Sequence, residues 1–524
     1  MENLKDGRNI GMNEGAGRRD IYAVCRIRNH KKTDSGSGLS RRFFVKQTLM
    51  AGIVLAGMES GCCSAKKQQT RKPNVVFLFA DQWRASSTGY AGDPNVKTPN
   101  LDQLAKESVN FETAVSVCPV CTPYRAALLT GRYPTTTGMF MNDIYLPDSE
   151  LCMGEIYKNA GYETAYIGKW HLDGHGRSSY IPPERRQGFD YWKVAECEHN
   201  YLKSHYYEGN SPEKKFWEGY DAFAQTNDAQ QYIRNHAKGE KPFLMVVSYG
   251  TPHFPHQTAL QEYKDMYPPE KLKLAPNIAE EKKEAVLKEL PGYYGHCTAL
   301  DKCIGELVQT LQEQGLVDNT ILVFTSDHGE MMGAQNVRPC LKQVPWDESI
   351  RVPFLLRYPA VLGKAGRAVK TPINTPDILP TMLALSGIEI SKTIEGEDLS
   401  GLIKGDAKGD RAALIMSVSP FIPDLDEYRG IRTSRYTYVR KVDAPWLLYD
   451  NEVDPYQMNN LVGKPEKAEL QKKLDEQLNA ELKKIGDEFK PRQYYLDKWG
   501  YKLVKGGHIS YVPGAEVQGP GMRK

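Results

Sequence analysis

Short runs of uninterrupted apolar residues recur between residues 73 and 360, separated by helical or polar segments. A run without polar alternation is typical of a strand covered on both faces, as in a parallel sheet. The predicted strands are residues 74–80, 109–111, 164–168, 242–249, 320–326 and 351–357. The predicted helices open at Thr98, lie between Thr122 and Gly131, and cover residues 151–160, 293–314 and 375–387. This alternation predicts an α/β fold with a mostly parallel sheet flanked by helices.

The pattern changes near residue 400, where the segments become shorter and more polar. Strand-like segments at 412–418, 428–433 and 436–442 precede a charged amphipathic helix at 465–485. These elements predict a small antiparallel sheet with one helix, that is, an α+β subdomain. A chain of 524 residues also favours a large domain joined to a smaller one. The predicted division is a leader at 1–72, a large domain at 73–405 and a C-terminal subdomain at 406–524.

Residues 173–236 read as an irregular insertion that is rich in His, Tyr, Glu and Lys. Long insertions of this kind often form the wall of a pocket. Four of its side chains are candidates for substrate contacts, namely His175, Arg177, Glu198 and His199. A salt-bridged surface is the alternative interpretation of the same four residues.

Charge is distributed unevenly along the chain. The formal net charge is +3, but residues 1–73 carry +9 and the remainder carries −6. The body of the protein is therefore mildly acidic, which gives no indication of a nucleic-acid partner.

The basic N-terminal region contains a predicted export signal. Residues 40–46 read SRRFFVK, similar to a twin-arginine signal, and an apolar run at 49–58 follows. That run is too short for a permanent membrane span. Cleavage after Ala65 is one expectation, lipidation at Cys62 is a second, and an uncleaved disordered tail is a third. The expected location is periplasmic or secreted, with a lipid anchor at the cell surface left open.

The segment 121–132, CTPYRAALLTGR, combines a cysteine with a predicted helix start. Thr122 can cap this helix, Pro123 suits its first turn and Gly131 suits its end. Cys121 is therefore expected just ahead of a helix N-terminus, where N–H groups and the dipole attract an anion. Arg125 adds a positive charge, so the arrangement indicates chemistry on an anionic ester. The CPVC sequence at 118–121 leaves a redox pair or half of a zinc site as alternatives.

Ionisable residues follow the other predicted strands. Because ligand sites gather at the carboxyl ends of parallel strands, these residues are candidates for one common site. They are Asp81 with Gln82 beside it, Lys169, His171, His253, Asp327 and His328, together with Lys342 in a loop.

The cysteine segment resembles the defining motif of the formylglycine-dependent sulfatases, in the alkaline phosphatase superfamily. That motif is Cys, any residue, Pro, any residue, Arg, followed by Leu-Thr-Gly-Arg. Further matching segments are GKWH at 168–171, PH at 252–253, SDHG at 326–329, RVP at 351–353, LYD at 448–450, DP at 454–455 and NL at 460–461. The resemblance covers most of residues 73–460 and implies an alkaline-phosphatase-like sheet and a sulfuric ester hydrolase.

The resemblance also implies two additions to the polypeptide. A formylglycine-generating maturation enzyme would oxidise Cys121 to formylglycine (3-oxoalanine). One divalent cation would be bound by Asp81, Gln82, Asp327, His328 and the modified residue 121. Gln82 replaces a second Asp of many members, and His328 replaces an Asn. Calcium is the favoured cation, and the nitrogen of His328 leaves magnesium and manganese open.

Catalytic roles follow from the same resemblance. Arg125, Lys169 and Lys342 would neutralise the charge of the sulfate ester. One hydroxyl of the hydrated aldehyde would attack sulfur, and His171 would then act as the base for sulfate expulsion. His253, with Lys342, would protonate or stabilise the leaving alkoxide.

Sugar sulfates are the preferred substrate class, because export suits a polymeric substrate and the 173–236 insertion has aromatic and polar residues. A phosphodiester or phosphonate ester hydrolase on the same framework is the alternative, since sulfate and phosphate esters share their shape. A non-catalytic protein that binds sulfated glycans is a third interpretation. It needs neither a base nor a nucleophile.

Overall fold

The apolar runs of the sequence form the centre of a ten-stranded sheet in the computed structural model. The structure describes residues 71–405, 411–422, 425–504 and 508–509. The predicted signal, cleavage and lipidation sites lie outside these ranges, and the domain boundaries predicted from the sequence stay a prediction.

The strands, in chain order, are β1 (Asn74–Asp81), β2 (Val109–Phe111), β3 (Ala114–Val115), β4 (Glu163–Lys169), β5 (Tyr191–Ala195), β6 (His205–Glu208), β7 (Lys215–Phe216), β8 (Phe243–Pro252), β9 (Thr320–Ser326), β10 (Arg351–Val352), β11 (Phe354–Arg357), β12 (Arg367–Val369), β13 (Ile373–Asn374), β14 (Ala413–Ser417), β15 (Tyr428–Arg432), β16 (Tyr436–Lys441), β17 (Pro445–Asp450), β18 (Leu503–Val504) and β19 (His508–Ile509).

The α-helices are α1 (Pro99–Ala105), α2 (Cys121–Thr130), α3 (Pro134–Thr137), α4 (Met153–Asn159), α5 (Asp221–His236), α6 (Gln261–Lys264), α7 (Lys283–Glu313), α8 (Asp347–Ile350), α9 (Pro359–Leu362), α10 (Thr375–Leu385), α11 (Ser400–Lys404), α12 (Ala468–Lys484) and α13 (Arg492–Trp499). Short 3-10 turns occupy Gly89–Ala91, Pro183–Arg185, His256–Thr258, Pro269–Lys271, Glu280–Lys282, Val317–Asn319 and Pro465–Lys467.

The main sheet has the strand order β12-β2-β11-β9-β1-β8-β4-β5-β6-β7. Its central strands β9, β1, β8, β4 and β5 run parallel to one another. Strand β11 is antiparallel to both β9 and β2, and β6 is antiparallel to β5. The predicted α/β architecture with a mixed, mostly parallel sheet is therefore confirmed.

Both faces of this sheet are covered, as the uninterrupted apolar runs predicted. Phe77 and Phe79 of β1 pack into one hydrophobic cluster, and Leu78 and Ala80 pack into another. Successive side chains of a strand point to opposite faces, so the two clusters are the two layers around the sheet. None of the helices in the described ranges combines the length and apolar character that crossing a membrane requires.

The C-terminal part contains the predicted antiparallel sheet, with a fourth strand that the sequence did not reveal. Strands β14, β15, β16 and β17 pair in that order. Leu474, Leu478 and Leu482 of α12 pack against this sheet, four residues apart on one helical face.

Three elements differ from the sequence-based predictions. Residues 173–236 are not irregular, because they contain β5, β6, β7 and the helix α5. The predicted strand 351–357 is two strands in different sheets, since Pro353 has no N–H and interrupts the pairing. Helix α7 begins at Lys283, ten residues before the predicted start, and contains Pro291.

Candidate active site

Four neighbouring parallel strands bring the candidate residues to one edge of the sheet. Asp81 is the last residue of β1 and Lys169 is the last residue of β4. Asp327 directly follows β9, and His253 directly follows β8. The strand order β9-β1-β8-β4 places these four carboxyl ends side by side.

Cys121 lies above this edge at the start of a buried helix. Helix α2 begins at Cys121 itself, and Val120 is the N-cap residue rather than the predicted Thr122. The Thr122 hydroxyl instead donates to the carbonyl oxygen of His171 at 2.9 Å, so this tertiary contact replaces the cap. Gly131 ends the helix in the left-handed region with φ of 66°, as its position predicted.

Four side chains around Cys121 form a group that could bind a metal ion. One ligand atom from each of Asp81, Cys121, Asp327 and His328 lies within 4.8 Å of the others. The Cys121 Sγ is 3.6 Å from Asp81 Oδ1 and 3.3 Å from His328 Nε2. His328 Nδ1 lies 3.0 Å from the Gly329 carbonyl oxygen and donates to it, which leaves the lone pair of Nε2 facing the group. Two carboxylates and one imidazole fit a divalent cation.

Positive charge surrounds the carboxylates of this group. Arg125 Nη2 lies 3.1 Å from Asp81 Oδ2 and 3.2 Å from Asp327 Oδ2, so the guanidinium bridges both residues. Lys169 Nζ lies 2.7 Å from the same oxygen of Asp81. Burial alone would raise the pKa of Asp81, but the positive charges of Lys169 and Arg125 hold it well below its usual value. Asp81 is therefore an ionised ligand.

The thiol of Cys121 is not ionised. Burial, followed by the nearby charge of Asp81, raises its pKa to about 12. A thiolate is the nucleophilic form of cysteine, and it is scarce at neutral pH in this environment. The site therefore fits a nucleophile made from Cys121 better than the thiol itself.

Gln82 lies beside the metal-binding group with its side chain already engaged. Its Oε1 accepts from Lys342 Nζ at 2.8 Å, and its Nε2 donates to Glu330. Glu330 is fully buried and also accepts from the backbone N–H of Met332 and Cys340. The ligand role of Gln82 stays a prediction, and Glu330 is a supporting residue that the sequence analysis missed.

His171 forms a second unit with a partner that the sequence did not reveal. Its Nε2 lies 2.7 Å from Asp143 Oδ1, and Arg177 Nη2 lies 2.6 Å from Asp143 Oδ2. His171 Nδ1 is buried without a hydrogen-bond partner in the described part of the chain. Burial lowers the pKa of His171 to about 4, while Asp143 opposes this effect. A neutral His171 that donates through Nε2 thus leaves Nδ1 as a proton acceptor.

His253 and Lys342 form the third unit. His253 Nδ1 lies 2.7 Å from the Phe254 carbonyl oxygen and donates to it, and His253 Nε2 accepts from Lys342 Nζ at 2.7 Å. Burial and the charge of Lys342 hold the pKa of His253 well below its usual value. In this arrangement the donor hydrogen between the two residues belongs to Lys342. The imidazole ring of His199 stacks on that of His253, with 4.6 Å between ring centroids.

These units share one cavity of about 190 Å³. Cys121, Lys169, His171, His253 and Lys342 all line it. Of the four weaker candidates from the insertion, Arg177 and His199 line the same cavity. The other two pair with neighbouring residues, Glu198 with His205 at 2.6 Å and His175 with Asp173 at 3.3 Å.

Comparison with known proteins gives one consistent result. The profile of the family described as Sulfatase matches residues 73–388, and that of the N-sulphoglucosamine sulphohydrolase C-terminal family matches residues 341–484. An ulvan-active sulfatase of Formosa agariphila is 58% identical over 444 residues, which cover 84% of this chain and 87% of that protein. An endo-4-O-sulfatase of Bacteroides thetaiotaomicron is 29% identical, over 86% of this chain and all of that protein. The crystal structure of the YidJ sulfatase from Bacteroides fragilis superimposes with a TM-score of 0.73 at 32% identity, over 81% of this chain and 98% of that one.

Proposed function

The chain belongs to the sulfatase family, and on that premise we propose that it releases sulfate from sulfated carbohydrates through a formylglycine made from Cys121. The observation that carries the proposal is the position of Cys121. It is the first residue of a buried helix and lies in one cavity with Lys169, His171, His253 and Lys342. A sulfate group placed above residue 121 would thus meet a helix N-terminus and two ammonium groups.

The carbohydrate assignment has support from both the relatives and the cavity wall. A relative at 58% identity is named for its activity on ulvan, a sulfated carbohydrate. The wall beyond the catalytic groups combines Asn142, Arg177 and His199 with the rings of Phe254 and Phe421. Small-molecule sites usually combine aromatic side chains with a few polar groups that fix the orientation of the ligand, and this wall has both.

Asp81, Asp327 and His328, with Gln82 and the modified residue 121, would hold the divalent cation. We favour calcium because most of these donors are oxygen atoms. The cation supplies positive charge that neutralises the bound sulfate. Arg125 then has an organising role, because it fixes the two carboxylates in place from a side chain that is only 1% exposed.

The remaining roles follow from the proton positions. His171 lines the cavity, and its Nδ1 has no hydrogen-bond partner among the described residues, which suits the base that takes a proton from a hydroxyl at residue 121. Lys342 and His253 form a hydrogen-bonded pair that lines the same cavity as His171, which suits the group that delivers a proton to the leaving alkoxide. General-acid help of roughly 10²–10⁴-fold is needed for a poor leaving group such as a sugar alkoxide.

Maturation and export are part of the same proposal. A formylglycine-generating enzyme would act on the 121–132 segment before folding buries it, since Cys121 is only 2% exposed in the folded protein. The mature enzyme would act in the periplasm or outside the cell.

A substrate panel tests the proposal. The matured enzyme is assayed on position-defined sulfated mono- and disaccharides, and on matched aryl sulfate, phosphodiester and phosphonate esters. We expect turnover of at least one sulfated sugar, with release of inorganic sulfate. Faster turnover of the phosphorus esters than of every sulfate ester would reject the assignment in favour of a phosphodiester or phosphonate hydrolase.

A further inference from the structure

A second group of potential metal ligands lies outside the site described above. It consists of His256, Glu289 and Cys340, and one ligand atom from each lies within 4.8 Å of the other two. His256 is in a 3-10 turn after β8, Glu289 is on α7, and Cys340 is in the loop that leads to Lys342. Three separate segments of the chain therefore bring an imidazole, a carboxylate and a thiol to one place.

The three side chains are positioned for a ligand that enters from outside. His256 is 1% exposed, its Nδ1 lies 3.0 Å from Glu289 Oε2, and its Nε2 is buried without a partner among the described residues. Glu289 and Cys340 are only partly buried, which leaves a path for a cation. Cys340 also has φ of 69°, a backbone conformation that non-glycine residues rarely adopt. Its N–H donates to the buried Glu330 at 2.9 Å, and this contact holds the thiol in its position.

We propose that His256, Glu289 and Cys340 bind a zinc ion. Thiolate, imidazole and carboxylate are the ligand types that zinc combines, and three protein ligands leave the fourth position to water. Binding replaces the thiol proton of Cys340 by the cation and releases that proton to solvent. The charges of the thiolate and of Glu289 then balance the charge of Zn²⁺.

The distances require only a small closure. Zinc–ligand bonds of about 2.0–2.3 Å in a tetrahedron place neighbouring ligand atoms about 3.4–3.6 Å apart. Side chains whose ligand atoms lie up to 4.8 Å apart must therefore approach by about 1 Å. The partly exposed Cys340 and Glu289 can make that movement through their side-chain torsions.

Such a zinc ion would connect two catalytic loops. His256 is three residues after His253, and Cys340 is two residues before Lys342. Glu330, which accepts a hydrogen bond from the backbone N–H of Cys340, also accepts one from the side-chain amide of Gln82. A bound zinc ion would thus hold together the two segments that carry His253 and Lys342. The binding site itself does not depend on the proposed function.

Cobalt spectroscopy of the full-length protein tests the proposal. All measurements use the Cys121→Ala protein in the presence of calcium, because this substitution removes the thiol from the group formed by Asp81, Cys121, Asp327 and His328. Co²⁺ is then titrated as a probe for zinc, and the near-ultraviolet thiolate-to-cobalt absorption is measured. Cys340→Ser in this background is the test variant, and Cys303→Ser is the matched control because Cys303 is a fully buried thiol on α7.

We expect a thiolate–cobalt band that saturates near one equivalent, that zinc displaces, and that Cys340→Ser abolishes while Cys303→Ser retains it. Glu289→Ala should weaken zinc binding by more than the roughly 10–100-fold that loss of an outer-shell partner costs. Zinc should also raise the melting temperature of the Cys121→Ala protein and leave that of the Cys121→Ala/Cys340→Ser protein unchanged. No thiolate band, or a band of equal intensity in the Cys340→Ser protein, would overturn the proposal.

Discussion

Asp143→Asn should change the position of the proton on His171 and leave the other active-site groups unchanged. Asp143 Oδ1 accepts a hydrogen bond from His171 Nε2 at 2.7 Å, and Asp143 Oδ2 accepts one from Arg177 Nη2 at 2.6 Å. An asparagine has one acceptor atom for these two donors. If its oxygen faces Arg177, its amide N–H groups face His171 Nε2. That arrangement places the ring proton on Nδ1 and removes the lone pair that we assign to the base.

The expected loss is the contribution of a general base, which is about 10²–10⁴-fold in kcat. KM should change much less, because the change affects the proton position on His171 rather than the charges that bind the sulfate. Asp143 raises the pKa of His171 against the larger effect of burial. Its removal therefore lowers that pKa, and the acid limb of the pH–rate profile should move to lower pH.

The assay is kcat and KM for one sulfated sugar from pH 3 to pH 9, with matured enzyme. Asp190→Asn is the matched control, because Asp190 pairs with Lys158 at 2.6 Å on the surface and does not line the cavity. Its kinetics should equal those of the wild type. A loss in Asp143→Asn below about threefold, with an unmoved acid limb, would refute the assignment of His171 as the base.

Three further predictions concern other residues. His253→Ala should reduce kcat for sugar sulfates by about 10²–10⁴-fold and for activated aryl sulfates by far less, because an aryl leaving group needs little protonation. Equal losses on both substrates would show that His253 does not assist the leaving group. Cys121→Ala should abolish turnover while the circular dichroism spectrum and the melting temperature remain close to wild type, and normal rates would place the nucleophile elsewhere. Burial raises the pKa of Asp221 to about 8, so its neutral form supports the fold at low pH and this contribution is lost as pH rises from about 4 to 8. Between pH 5 and pH 8 the unfolding free energy, measured by urea denaturation, should therefore decrease by about 4 kcal/mol less in Asp221→Asn than in the wild type. An equal decrease in both proteins would show that Asp221 is already ionised in the folded protein.

The central strands could be predicted because burial on both faces leaves an uninterrupted apolar run. For β1 the same run also located Asp81, since the first polar residue after such a strand lies at the edge where ligands bind. Helix α2 was predictable at its end, where Gly131 adopts the left-handed conformation. Its start lies two residues before the predicted one, because the Thr122 hydroxyl contacts a carbonyl group 49 residues away in the chain instead of capping the helix.

Asp143 and Glu330 could not be found from the sequence for a related reason. Asp143 contacts His171 across 28 residues, and Glu330 contacts Gln82 across 248 residues. Neither residue is close in sequence to the side chain that it contacts, so only the folded chain brings each pair together. The insertion at 173–236 was misread because its strands β6 and β7 are short and mix aromatic with charged residues, which hides their alternation.

The most direct test of the account relates turnover to the chemical state of residue 121. Preparations with different extents of maturation are digested, and the fraction of residue 121 converted to the aldehyde is read from a mass decrease of about 18 Da in its peptide. Sulfate release from a sulfated sugar, per chain, is measured on the same samples. We expect a straight line through the origin, with Cys121→Ala at zero. Turnover that is independent of the aldehyde fraction would contradict it.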